Sequence, residues 1–447
     1  MSNDNSHWPA SVLQGEAALI RAIGTFALTA AVINSIVGGG IFRMPSALAT
    51  QMGPAAPLAV IAGALAIIPI ALCFSAVGSR VQVTGGPYSY LTATYGSFAG
   101  FVGGALMWIS NIASSAGVAA ALSVQVAALV PSLAPPLPRA LLLTAVYGGL
   151  FALNAFGVKL GARAITTLAA LKLAPLFLLA AVGIFLVDGS KVSFAIGEVP
   201  SWGALGASMV LVMFAYSGME TALMPSGEIN RPARDVPRAT LAAIALVVLL
   251  YLALQIVGQG LLGPDLATSG VPVADTAGSV WAPGRALLLV TACISMTGFL
   301  LGNLLGTARL VFALGRDRYL PRAFGTVSAR HRVPLCALAV HAGLAWVLAI
   351  AGSFDPLALI SGGAICLVYA LVSLAAWRAQ SRDIRERGDR PFDLPGGALI
   401  PVVAVGAMAA IVTTLTALEW AAIGIALALL VVLYAFLRLR RSGAASG

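Results

Sequence analysis

Apolar residues form long segments along nearly the whole chain, and short polar loops separate them. Segments of about 18 or more apolar residues are long enough to cross a bilayer as helices. We predict twelve such spans, at about 19–50, 57–78, 97–130, 139–156, 163–187, 203–228, 239–262, 283–314, 334–352, 355–378, 398–417 and 420–438. The pattern predicts an all-α integral membrane protein.

The first span contains an interruption. Gly38, Gly39 and Gly40 are consecutive, with Asn34 and Ser35 shortly before them. Each glycine costs a helix about 1 kcal/mol relative to alanine. An unwound turn survives in a membrane only where it is buried in protein or lines a polar cavity. The run therefore predicts a mid-membrane binding site for a polar group, and the alternative is that the glycines only allow close helix packing.

A second interruption is predicted in the sixth span. Phe214 leads into Ser217 and Gly218, and Glu220 then places a carboxylate deep in the apolar segment. Spans 1–5 and 6–10 would form two five-helix halves of opposite orientation, because an odd number of spans inverts the second half. Interrupted helices at matching places in two halves indicate the binding site of a transporter.

This organisation divides the chain into five parts. They are a cytoplasmic tail at 1–18, a first five-helix repeat at 19–187, a second repeat at 188–378, a cytoplasmic loop at 379–397, and two additional helices with a basic tail at 398–447.

The charges indicate topology. The chain has 26 Lys and Arg against 16 Asp and Glu, which gives a net charge of +10. Basic residues such as Arg231 and Arg234 cluster in alternate loops, and the loops between them hold mainly acids such as Asp265. This positive-inside asymmetry predicts that both termini are cytoplasmic. The basic charge is thereby explained without nucleic acid, and the lipid bilayer is the expected partner.

The same sequence gives little support to an enzyme, a metal site or an ATP-driven pump. The three histidines do not pair with carboxylates at metal or triad spacing, and no Walker-type phosphate loop is present. The four cysteines lie in apolar segments and are interpreted as packing residues. We therefore expect no cofactor and no metal.

Three motifs resemble those of the amino acid–polyamine–organocation (APC) superfamily of permeases. Gly38-Gly39-Gly40-Ile41-Phe42 resembles its first-helix motif, and Gly85-Gly86-Pro87-Tyr88-Ser89-Tyr90 is similar to its element after span 2. Phe214-Ala215-Tyr216-Ser217-Gly218, followed by Glu228-Ile229-Asn230-Arg231-Pro232, is similar to its sixth-helix signature. The resemblance implies a LeuT-like 5+5 inverted repeat with broken helices 1 and 6 plus two extra helices, and transport of amino acids or related amines.

The chemistry of the two interruptions agrees with that implication. A half-helix beginning near Gly38 presents free N–H groups and a positive dipole end, which suit a carboxylate. Carbonyl groups around Ile33 to Ile36 and around Phe214 to Ser217 suit an ammonium group. A zwitterionic α-amino acid meets both demands. The predicted substrate-binding residues here are Ile36, Gly38, Gly39, Gly40, Phe214, Ser217 and Gly218.

Two charged residues lie inside apolar spans. A carboxylate in mid-span is costly and usually functional, so Glu220 is predicted to couple or sense protons, as the matching glutamate of the arginine/agmatine antiporter branch implies. The alternative is a structural partner of a nearby cation. By the same resemblance, the ammonium of Lys172 takes the place of a sodium ion near the first broken helix. The alternative for Lys172 is a side chain that reaches the cytoplasmic interface.

Two asparagines complete the predicted site. Asn111 in span 3 and Asn303 in span 8 match positions that contact the substrate side chain in the arginine/agmatine antiporter branch. That branch has tryptophan at the positions of Asn303 and Phe214, and Phe214 could still act as an aromatic gate. The alternative is a helix–helix hydrogen bond between apolar spans. Arg43 is expected to pair with an acid on the extracellular side or with the phospholipid interface.

The predicted function is secondary active transport of amino acids across the inner (plasma) membrane by alternating access. We expect it to be sodium-independent and proton-coupled. The alternatives are an obligatory exchanger of the arginine or polyamine type and, with less support, a channel. Few buried acids are available to meet a second positive charge, which favours neutral substrates. The sequence leaves the particular amino acid and the oligomeric state open.

Overall fold

The computed structural model describes residues 23–83, 85–155, 162–224, 226, 229–328, 333–385 and 390–444. Regular structure in these residues is helical, apart from one isolated bridge between Ile23 and Ile229. The α-helices are α1 (Thr25–Ile36), α2 (Gly40–Met52), α3 (Ala56–Arg80), α4 (Pro87–Tyr95), α5 (Ser97–Leu129), α6 (Pro136–Ala155), α7 (Ala162–Gly183), α8 (Trp202–Tyr216), α9 (Met219–Ala222), α10 (Pro232–Leu262), α11 (Asp265–Thr268), α12 (Pro272–Val280), α13 (Ala282–Arg316), α14 (Leu335–Ala351), α15 (Phe354–Ser381), α16 (Leu399–Val412) and α17 (Ala417–Ala444). The all-α prediction is confirmed.

Many of these helices are long and apolar enough to cross a membrane. Within the described residues, eight stretches meet that condition: Gly40–Arg80, Ser97–Leu129, Pro136–Ala155, Trp202–Ala222, Pro232–Leu262, Ala282–Arg316, Phe354–Ser381 and Ala417–Phe436. Four shorter apolar helices accompany them, at Thr25–Ile36, Leu171–Leu186, Leu335–Ala351 and Leu399–Val412. The chain is a multi-pass membrane protein.

The long helices differ in how deeply they lie inside the protein. The most apolar window of Ser97–Leu129 is 67% buried, whereas that of Pro136–Ala155 is 17% buried. Helix α5 packs against both α13 and α15, and α3 packs along α10. Helices α3, α5, α10, α13 and α15 therefore surround the centre of the molecule, and α6 lies at its periphery.

The helices are interrupted at both positions that the sequence marks. Helix α1 ends at Ile36 and α2 begins at Gly40, and the residues between them are not helical. Helix α8 ends at Tyr216 and α9 begins at Met219. Between them Gly218 has a φ of 130°, a conformation that side-chain-bearing residues rarely adopt. We call Val37–Gly39 the first break and Ser217–Gly218 the second break.

Candidate functional site

The second break packs against the last turn of α1, directly before the first break, and the start of α2 packs against the end of α8. A Cβ atom added to Gly218 would lie 2.6 Å from the carbonyl carbon and oxygen of Ser35. A Cβ atom added to Gly40 would lie 3.0 Å from the Cα atom of Ala215, at the end of α8. Both distances are shorter than ordinary contacts, so side chains at either glycine would push the helices apart. The structure brings the two interrupted helices together through these glycines.

The other two glycines of the first break also allow close packing. A Cβ atom on Gly38 would lie 2.6 Å from the ring of Phe299, and one on Gly39 would lie 2.7 Å from the side chain of Val118. The glycine run thus interrupts the helix and also allows the close packing considered as the alternative, and the polar binding site stays a prediction. The run ends one helix before the next begins, and it admits neighbours from α5 and α13.

Lys172 contacts the first break. Its side chain is 2% exposed, and its Nζ atom donates hydrogen bonds to the carbonyl oxygens of Asn34 at 2.8 Å and Val37 at 2.6 Å. The ammonium therefore lies against the end of α1, and the alternative in which it reaches the cytoplasmic interface does not describe this structure. The Ser295 hydroxyl lies 3.0 Å from the carbonyl oxygens of both Val37 and Gly38 and can donate to either.

Two stacked tyrosines, Tyr251 and Tyr216, connect the end of α1 with the end of α8. The hydroxyl of Tyr251 donates to the carbonyl oxygen of Ile36 at 3.2 Å. Its ring stacks on Tyr216, the last residue of α8, with centroids 5.5 Å apart and an interplanar angle of 10°. Tyr251 therefore connects the predicted site residue Ile36 with the helix that leads into the second break.

Glu220 fixes the second break to helix α15. Its carboxyl group is 3% exposed. One oxygen accepts a hydrogen bond from the backbone N–H of Gly218 at 2.9 Å, and the other accepts from the hydroxyl of Tyr369 at 2.9 Å. In the described part of the chain these hydrogen-bond partners are neutral, which differs from the cation partner considered as the alternative.

The two predicted asparagines contact each other. Nδ2 of Asn303 lies 3.3 Å from Oδ1 of Asn111, and Oδ1 of Asn303 lies 3.1 Å from Nε2 of His341. These three residues, on α5, α13 and α14, are buried. The helix–helix hydrogen bond considered as the alternative is therefore present.

Phe214 and Arg43 both contact the start of α15. Phe214 is 5% exposed, and its ring meets Phe354 edge to face with centroids 5.6 Å apart. Arg43 on α2 forms an ion pair with Asp355 at 3.6 Å and donates to the carbonyl oxygen of Ser269 at 2.8 Å. The acid that Arg43 was expected to find is thus Asp355, at the start of α15.

Sequence reasoning missed four residues of this site: Ser295, Tyr251, Tyr369 and His341. A signal existed for Ser295, because it precedes Asn303 by eight residues and so lies on the same face of α13. His341 also carries a signal, because an ionisable residue inside an apolar span is usually functional, whereas Tyr251 and Tyr369 carry no local signal. Within the described residues, no group of three or more His, Cys, Asp or Glu side chains is arranged to hold a metal ion.

A comparison with protein families agrees with this architecture. The model of the amino acid permease family matches residues 23–438. Because the match spans nearly the whole chain, including both breaks, the chain belongs to the amino acid permease family. It is a transporter and not an enzyme.

Three relatives illustrate the breadth of that family. The chain is 27% identical over 418 residues to the branched-chain amino acid permease BcaP of Bacillus subtilis, covering 88% of this chain and 87% of the relative. It is 27% identical over 390 residues to the serine/threonine exchanger SteT of the same organism, covering 85% and 87%. It is 25% identical over 402 residues to the b(0,+)-type amino acid transporter 1 of Mus musculus, covering 87% and 81%.

Proposed function

We propose that the chain is a secondary active transporter that moves amino acids across the cytoplasmic membrane by alternating access. The single observation that carries the proposal is the contact between the two interrupted helices, made through Gly218 and Ser35. Unwound backbone inside a membrane protein is tolerated where it is buried in protein or lines a polar cavity, and the meeting of two interrupted helices supports the second case. Two such interruptions side by side supply donors and acceptors for one small zwitterion.

Both charged groups of a zwitterionic amino acid, the carboxylate and the ammonium, have a partner in this arrangement. The first N–H groups of α2, at Gly40 and Ile41, have no acceptor within their own helix and lie at its positive end. They suit the carboxylate.

The carbonyl of Ile36 accepts from the Gly38 N–H and the Tyr251 hydroxyl. That of Phe214 accepts from the N–H and hydroxyl of Ser217. An ammonium group would take the place of one of these donors at each carbonyl, since a carbonyl oxygen has two lone pairs. The N–H groups of α2 and the carbonyls of Ile36 and Phe214 are brought together by the residues of the two breaks, which are Gly38, Gly39, Ser217 and Gly218.

We further propose that transport is sodium-independent. A monovalent cation at the first break would bind backbone carbonyls, and those of Asn34 and Val37 already accept hydrogen bonds from the Lys172 ammonium. The lysine supplies the positive charge at that place. Its removal would leave both carbonyls without their charged donor.

Proton coupling is assigned to Glu220. Burial disfavours the charged form of a carboxyl group, and no charged partner accompanies its hydrogen bonds to Gly218 and Tyr369 in the described residues. Gain or loss of the proton would change how the carboxyl group holds the second break against α15. This links protonation to the element that binds the substrate.

The proposed architecture is the LeuT-like fold with twelve spans. Residues 19–187 and 188–378 are the two inverted five-helix repeats, and 398–447 adds two helices and a basic tail. The tail at 1–18 and the loop at 379–397 are cytoplasmic, as are both termini, and the membrane is the plasma membrane. Support comes from the matched interruptions and from the alternating charge of the loops.

Obligatory exchange is the second candidate. One of the relatives is a serine/threonine exchanger, and an exchanger would use the same binding site without net proton movement. Obligatory exchange requires substrate on the opposite side of the membrane, whereas proton-coupled uptake does not.

Reconstitution into proteoliposomes tests the proposal. We expect saturable uptake of a radiolabelled neutral amino acid, unchanged when sodium is replaced by choline, and driven by an inward proton gradient into empty vesicles. Uptake only into vesicles preloaded with amino acid would select the exchanger. Flux that rises linearly with concentration would indicate a channel and contradict the proposal.

A further inference from the structure

Three arginines share one exposed face at the start of α10, which is the proposed cytoplasmic end of this helix. Arg231 is the N-cap residue, Arg234 and Arg238 lie in the first two turns, and all three are exposed. Residues three or four apart lie on the same side of a helix, so the three side chains form a row about 10 Å long. No ion pair among the described residues involves them. We call these residues the arginine row.

The same face of α10 continues as an apolar surface. Beyond Arg238, the exposed residues are Ala242, Ala245 and Leu249, again at spacings of three or four, and Leu249 is 66% exposed. Leu249 lies about 16 Å from Arg238 along the helix axis, close to half of a hydrocarbon core about 30 Å thick. An exposed apolar face of a membrane protein contacts acyl chains. The arginine row therefore lies where the headgroups of those lipids begin.

The buried side of the same helix start holds the start of α1. Asp235 is 3% exposed. One of its oxygens accepts from the hydroxyl of Thr25 at 2.5 Å, and the other accepts from the backbone N–H of Arg231 at 3.1 Å. The N–H of Asn230 donates to the carbonyl oxygen of Ile23 at 2.9 Å. A ligand that fixes the start of α10 therefore also fixes the start of the helix that ends at the first break.

The chemistry of the arginine row suits the phosphate of a lipid. A guanidinium group offers a planar pair of N–H donors that matches phosphate oxygens. Because no acid of the described residues neutralises the row, its charge is available to an anionic headgroup at the membrane surface. A free phosphate ion would match the charge but would leave the adjoining apolar face without a partner. The continuity of the two surfaces favours one molecule with an anionic headgroup and acyl chains.

We propose that the arginine row binds the headgroup of an anionic phospholipid in the adjacent leaflet. The bound lipid stabilises the start of α10 and, through Asp235 and Thr25, the position of α1 in which the two interrupted helices meet. By linkage, a lipid that binds this conformation raises the affinity for a substrate that binds it too. The binding of lipid stands by itself, and its effect on substrate affinity rests on the proposed transport function.

Thermal unfolding in a neutral detergent tests the binding of lipid. Phosphatidylglycerol should raise the apparent melting temperature of the natural protein more than phosphatidylcholine does, and salt at about 1 M should weaken this difference by screening. Arg234→Gln/Arg238→Gln should need about 25-fold more phosphatidylglycerol for the half-maximal shift, or about five-fold for each arginine. Arg385→Gln/Arg390→Gln is the charge-matched control, because those two exposed arginines pair with acids, and it should respond like the natural protein.

Three results of that experiment would overturn the proposal. They are an equal response of the two double variants, a response of the natural protein that salt does not alter, and an equal shift produced by inorganic phosphate in place of the lipid. The third would assign the row to a soluble anion. A response lost equally from both double variants would mean that only net charge matters.

Uptake into proteoliposomes tests the connection to α1. Phosphatidylglycerol in a phosphatidylcholine membrane should lower the KM of the natural protein about five-fold, at the lower end of measured couplings between sites. Thr25→Val keeps the shape of the side chain but removes the donor to Asp235, so lipid should still raise its melting temperature while its KM no longer responds. A KM response retained in Thr25→Val would contradict the connection. Failure to take up any amino acid would overturn the proposed function and leave the lipid-binding result standing.

Discussion

The backbone of Gly218 lies against the carbonyl group of Ser35, so closely that a Cβ atom on the glycine would be 2.6 Å from the carbonyl carbon and oxygen. The two residues are far apart in sequence and belong to different interrupted helices. Their contact makes two local irregularities into a single site. It also explains why the second break contains a glycine with a φ of 130°.

Gly218→Ala should therefore disrupt the site. The added methyl group meets backbone atoms that cannot move aside, and the φ value is itself unfavourable for alanine by about 1–3 kcal/mol. We expect loss of uptake and a lower apparent melting temperature of the purified protein. Gly302→Ala is the matched control, since a Cβ atom there meets nothing within 4 Å. Similar behaviour of the two variants would show that the close contact is unimportant.

Lys172→Met should reduce uptake at least ten-fold. The substitution keeps the length of the side chain but removes the donor to the carbonyls of Asn34 and Val37, and hydrogen bonds from a charged group contribute about 1.5–3 kcal/mol each. Initial rates in sodium-free medium provide the measurement. Lys191→Met serves as the control, because Lys191 has a side chain 38% exposed. Normal uptake by Lys172→Met would exclude a role for the ammonium at the first break.

Glu220→Gln should remove the pH dependence of uptake. In the natural protein a protonated carboxyl favours substrate entry with the proton, so uptake should rise as the outside pH falls. Glutamine cannot titrate, and the rate should become flat across the same range. Tyr369→Phe is an informative companion, because it deletes one hydrogen bond of Glu220 but keeps the titrating group, and its pH dependence should remain. An unaltered pH profile in Glu220→Gln would rule out this carboxylate as the coupling group.

The ion pair of Arg43 and Asp355 should contribute little to stability. Its side chains are 25% and 47% exposed, and exposed pairs contribute about 0–1 kcal/mol. Arg43→Gln should nevertheless destabilise more than Asp355→Asn, because Arg43 also donates to the carbonyl of Ser269. Thermal unfolding of the two single variants and the double variant gives the coupling energy. A coupling of several kcal/mol would contradict the expectation of a weak, solvent-exposed pair.

The sequence predicts the interruptions well because each violates a local rule. Three consecutive glycines oppose helix formation, and a carboxylate is costly in an apolar span, so Gly38 and Glu220 can be recognised without a structure. Lys172 is conspicuous for the same reason. These features depend only on neighbouring residues and on the bilayer.

The partners of those residues could not be predicted, since they depend on how distant helices pack. Tyr369 follows Glu220 by 149 residues, and Ser295 follows Val37 by 258. His341 is a single histidine in an apolar helix, and no carboxylate stands at metal or triad spacing from it in the sequence. Its contact with Asn303 becomes visible only when α13 and α14 lie side by side.

The most direct test of the account is substrate protection at the second break. Ser217 is partly exposed, so Ser217→Cys can be alkylated in a protein whose partly exposed Cys293 and Cys336 are replaced by alanine. We predict that a transported amino acid slows this alkylation in a saturable way, and that Ser201→Cys, at the exposed start of α8, is unaffected. Alkylation of Ser217→Cys at the same rate with and without substrate would contradict binding at the paired breaks.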